Sequence, residues 1–137
     1  MPREDSQLPL VYSCSGCSSA AQLANHLAIR LDREGLAEMS CIAGVGGGVR
    51  SLVRKATEAA QRGRPILAID GCVLACAKAC LAQRGLAPDE HVLLADDGVR
   101  KVYHSDYDQA QAEASYQRVE RLLRALEMAR GARTAQS

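Results

Sequence analysis

A chain of 137 residues with a formal net charge of +1 has the length of one domain and enough residues to bury a core without disulfide or metal staples. Its acidic and basic residues are interspersed, and no basic stripe with interleaved aromatics occurs, so nucleic acid is not the expected partner. No apolar run reaches membrane-spanning length, and the six cysteines follow a start, MPREDSQLPL, that lacks a charged-then-apolar secretory leader, which points to a cytoplasmic setting where thiols stay reduced.

Met1 to Leu8 is polar and reads as a loose lead-in. Pro9 to Ser13 (PLVYS) reads as a short strand that runs into Cys14-Ser15-Gly16-Cys17. Ser18 or Ser19 can cap the helix that follows, where Leu23, Leu27 and Leu31 recur beside Ala20, Ala24 and Ala28 until Gly35. Glu38 to Ile42 is a weaker strand pattern with Cys41 at its end, and after a glycine loop, Gly44 to Gly48, a helix is expected over Val49 to Gln61, stopped by Gly63.

Ile66 to Ile69 is an unbroken apolar run of strand length, and the corner Asp70-Gly71-Cys72 leads into a helix expected over about Val73 to Arg84. His91 to Ala95 forms a fourth strand. Asp96-Asp97-Gly98 suggests a type I′ turn, with Val99 to Tyr103 pairing back as a hairpin. Asp106 with Gln109 resembles a capping box for a last helix reaching about Arg130, with Ala112, Tyr116, Val119, Leu123 and Leu126 on one face. Residues 1–130 read as a single α/β domain and 131–137 as a flexible tail. Three strand-corner-helix units predict a three-layer, Rossmann-like fold: a mainly parallel sheet of four to five strands with helices on both faces.

In such a sheet the corners after strand ends share one edge, the edge where ligands bind. Cys14, Cys17, Cys41, Cys72 and Cys76 are all expected there, although they are far apart in the chain. Zinc held by four thiolates needs sulfurs within about 4 Å of one another, and Cys72 and Cys76, spaced i and i+4 on the expected helix, can share an ion. Cys80 lies two turns from Cys72, about 12 Å along such a helix, and reads as a small packing residue. The pair Cys14-x-x-Cys17 has the spacing of a zinc half-site and also of a redox dithiol. The glycine loop fits neither nucleotide-binding pattern, but its backbone N–H groups can approach sulfur and offset negative charge. Asp70 reads as a helix cap, and His26, His91 and His104 do not fall at the cysteine corners.

YSCSGCS at Tyr12 to Ser18, MSCIAGVGG at Met39 to Gly47 and ILAIDGCVLACAK at Ile66 to Lys78 together resemble the DGC-domain family, named for the Asp-Gly-Cys that here is Asp70-Gly71-Cys72. The resemblance implies a zinc-binding domain with four chelating cysteines and no established activity, carried onto Cys14, Cys41, Cys72 and Cys76. Cys17 and Val73 depart from the family pattern, which has a small non-thiol residue and a proline at these places. The leading expectation is a zinc-binding protein serving metal sensing, delivery or partner docking. The alternative is a thiol redox or sulfur-transfer enzyme with Cys14 or Cys72 as nucleophile; iron–sulfur ligation would use the same residues.

Overall fold

The computed structural model describes residues 7–136, so most of the polar lead-in, and Ser137, lie outside the described residues. Four strands, β1 (Leu10–Ser13), β2 (Glu38–Met39), β3 (Ile66–Asp70) and β4 (Glu90–Leu93), form one parallel sheet in the order β2-β1-β3-β4. Between them lie the helices α1 (Ser19–Arg33), α2 (Ile42–Gly47), α3 (Arg50–Gln61) and α4 (Cys76–Ala82), and α5 (Gln109–Gln136) follows β4.

Strand alternation divides the core. Val11, Leu67, Ile69 and Val92 face α1 and α5, where Leu23, Leu27, Leu31, Tyr116, Val119 and Leu123 are buried. Leu10, Tyr12, Ile66 and Ala68 face α2, α3 and α4, against Val45, Ala56, Ala77 and Leu81. This is the three-layer α/β arrangement expected from the strand-helix repetition. β1 and β3 are buried along their whole lengths, as central strands covered on both sides must be.

Because β3 returns on the far side of β1 from β2, the order of strands reverses between β1 and β3. The crevice beyond the C-terminal ends of these two strands is the usual ligand position in a doubly wound sheet.

Several local elements differ from the sequence expectation. The glycine-rich stretch is not a loop but the short helix α2: the Cys41 side chain caps it by accepting from Gly44 N, and Gly48 ends it at φ 78°. β2 is shorter than Glu38 to Ile42, because the chain turns into α2 once Met39 N has donated to Asp32 at 2.8 Å.

The hairpin after β4 does not form. Leu94–Asp97 is a 3-10 turn closed by Gly98, so only the glycine takes the positive φ that a type I′ turn needs twice. The following segment instead straps across the entrance to α1: Ser19 N donates to Val102 O at 2.8 Å, His104 N donates to Cys17 O at 3.2 Å, and Ser18 bridges Tyr103. α5 is capped by Asp108, which accepts from Gln111 N at 2.7 Å, rather than by Asp106, and its helical backbone continues past Gly131 to Gln136.

Candidate functional site

The switch-point crevice is built from two corners. Ser18 caps α1 through its hydroxyl, which accepts from Ala21 N at 3.1 Å, so the chain bends sharply after β1 and holds Cys14 under the helix entrance. Cys14 is only 8% exposed. Its N–H donates to Ile69 O at 3.1 Å, and its sulfur accepts from Gly71 N at 3.2 Å, joining the two corners directly. A side chain at Gly71 could not coexist with α1, since a Cβ there would lie 2.5 Å from the carbonyl carbon and oxygen of Ala20.

The β3 corner is organised by Asp70, which is 1% exposed. Its carboxylate accepts from Ala77 N at 2.8 Å and Lys78 N at 3.2 Å, and His91 Nε2 donates to it at 2.8 Å. Asp70 thus caps α4 from before the turn, and the helix begins only at Cys76. Residues 72–75 form a turn closed by Ala75 N donating to Cys72 O, with Ala75 in the left-handed region at φ 49°. The expected helical spacing of Cys72 and Cys76 is therefore corrected: Cys72 lies in the turn and Cys76 is the first helical residue. His91 was not expected at the cysteine edge. Only its position on β4, opposite Ala68 and so on the same sheet face as Asp70 in the neighbouring strand, could have hinted at the contact.

The cysteines share the edge but differ in setting. Cys41 is exposed, with Gly44 N donating to its sulfur at 3.4 Å. Cys72 is partly exposed, and Lys101 Nζ, from the strap, stands 3.5 Å from its sulfur. The sulfurs that follow β1, β2 and β3 thus each accept a hydrogen bond from nitrogen. Cys17 and Cys76 are exposed on the same edge. Cys80 packs between helices, where a Cβ at Gly46 would come within 2.7 Å of its sulfur; desolvation chiefly, reinforced by the charges of Cys76 and Asp70, raises its thiol above the ordinary value.

Burial dominates at Cys14. It pushes the thiol up to about 11, with the Gly71 N–H opposing the shift and Asp70 adding to it. The soft donor set suits a thiophilic ion such as zinc. Reach is another matter: among the described residues no three His, Cys, Asp or Glu side chains group closely enough to hold an ion. No helix among them is long and apolar enough to cross a membrane.

Fold and edge together define a doubly wound α/β domain with thiols along the C-terminal rim of its parallel sheet. The DGC domain family model matches residues 10–119, and the chain belongs to that family. It is also 56% identical over 119 residues, 87% of this chain and 88% of the relative, to the "Anaerobic and virulence modulator AnvM" of Pseudomonas aeruginosa. No solved structure matches.

Proposed function

We propose that this chain is a regulatory module whose rim cysteines bind a thiophilic metal ion, zinc foremost, in the cytoplasm. The carrying observation is that three sulfurs delivered by three adjacent parallel strands each accept an N–H hydrogen bond, from Gly71, Gly44 and Lys101. Such donors offset the negative charge that accumulates when several thiolates gather. The regulatory part of the reading rests on likeness to a relative described as a modulator.

Cys14, Cys41, Cys72 and Cys76 would hold the ion, with Cys17 as a fifth candidate. Zinc bound by thiolates supplies rigidity and no redox chemistry of its own. The chain's own contribution is orientation. Asp70 and Gly71 fix Cys14 and the start of α4, while Cys72, on the turn before Ala75, and the exposed Cys17, Cys41 and Cys76 leave sulfurs able to change direction.

Elemental analysis with thiol counting on anaerobically purified protein tests this. Near-stoichiometric zinc is expected, with most of it lost in Cys72→Ser. Metal-free protein with every exposed thiol reactive would overturn the reading.

The contact between Lys101 and Cys72 favours a second reading, a thiol redox switch or sulfur-transfer site with Cys72 as nucleophile. Cys14 is the poorer nucleophile, because a buried thiol held near 11 stays protonated at neutral pH. Disulfide formation at Cys72 under mild oxidation, mapped by mass spectrometry, supports this alternative; its absence removes it.

A further inference from the structure

We propose that the exposed face of α3, together with Arg84, is a docking surface for an acidic segment of a partner protein. Arg50, Arg54 and Arg62 occupy exposed positions on or just after α3, and none meets a carboxylate among the described residues. Most other guanidiniums are answered: Arg30 by Glu34 and Glu113, Arg33 by Asp32, Arg118 by Asp97, Arg124 by Glu120. Arg100 and Arg121 also lack a carboxylate, but they lie on the strap and on α5, away from this layer.

Arg84 completes the surface from the opposite side. Its Nε donates to Val45 O and its Nη2 to Gly46 O, both at 2.8 Å, which fixes the guanidinium against the end of α2. It thereby lines a hollow of about 440 Å³ whose other walls include Gly48, Arg50, Arg54, Thr57 and Glu58. Three guanidiniums face one carboxylate there, so this small area holds more positive charge than the whole chain, which carries +1.

The chemistry favours carboxylates as the complement. Guanidinium forks take carboxylates in paired hydrogen bonds, and a fixed Arg84 loses little freedom on doing so. Arg50 and Arg54 are one helical turn apart, matching glutamates at i and i+4 on an acidic helix, and Val53 offers an apolar shoulder beside them. A nucleic-acid backbone fits less well: Glu58 would oppose its phosphates, and no aromatic ring lines the hollow for a base to stack on. This inference does not depend on what the rim thiols bind.

The test is fluorescence anisotropy of a dye-labelled helical peptide with glutamates at i and i+4, titrated with the full chain. Binding is expected that weakens as salt rises and falls about tenfold or more in Arg50→Glu/Arg54→Glu, with Arg121→Glu on the opposite layer unchanged. Arg54→Gln, a gentler change, should weaken it by a smaller factor, and circular dichroism of each variant should match the parent. Absence of binding, indifference to the arginine changes, or tighter binding of a single-stranded oligonucleotide of equal charge would overturn the proposal.

Discussion

At the corner leaving β1, five residues carry the chain into α1 and its first sulfur, Cys14, is buried beneath the neighbouring corner; at the corner leaving β3, five residues carry it into α4 and Cys72 stands partly exposed beside Lys101. The difference lies in where the helix cap sits. Ser18 caps α1 from the adjacent position, so the loop before it is pulled tight against the sheet. Asp70 caps α4 from before the turn, so the residues between are spanned rather than held, and Val73 and Leu74 project outward at 77% and 66% exposure. Equal connectors can thus yield one fixed thiol and one presented thiol.

The sharpest way to break this pairing is Gly71→Ala. The new Cβ would drive into Ala20 backbone, which cannot yield without displacing α1, and a loss of about 4 kcal/mol or more, or failure to fold, is expected in urea denaturation. Asp70→Ala comes next. It strands the N–H groups of Ala77 and Lys78 and the ring of His91, for a cost of roughly 3 kcal/mol by the same measurement.

Alkaline titration probes the buried thiol, Cys14. The ordinary thiol value is 9.0 and burial holds Cys14 near 11, so below pH 9 its contribution is intact. As pH rises from there the unfolded chain ionises this thiol and the folded chain does not, and ~2 to 3 kcal/mol should drain away by the upper end. Cys14→Ala, compared with the parent in chelator and reductant, should flatten that slope. The smallest change sharpens the contrast: Ala75→Gly relieves a left-handed alanine and should add ~0.5 to 1 kcal/mol to the melting free energy.

What could be read from the chain beforehand was direction. Apolar runs at Leu10 and Ile66 and the leucine spacing of α1 are local signals, and with strand direction they are enough to bring Cys14, Cys41 and Cys72 to one edge. What could not be read depends on partners distant in sequence. The helicity of Ile42–Gly47 runs against glycine's low propensity and is held by a sulfur cap and by packing on α4. The late start of α4 depends on a carboxylate six residues upstream, and the strap at residues 100–104 depends on Ser19, which donates through Oγ to Arg100 O and accepts from Val102 N. The meeting of His91 with Asp70 needs the pairing of β3 with β4, which no short-range pattern encodes.

The Asp-Gly-Cys triplet compresses three separate demands into adjacent letters. The acid is committed to starting one helix and the glycine to clearing another, so neither can change without damage to the scaffold. Only the third position carries no side-chain duty in the scaffold, and a protein diverging from this one could exchange the residue there while leaving the architecture untouched.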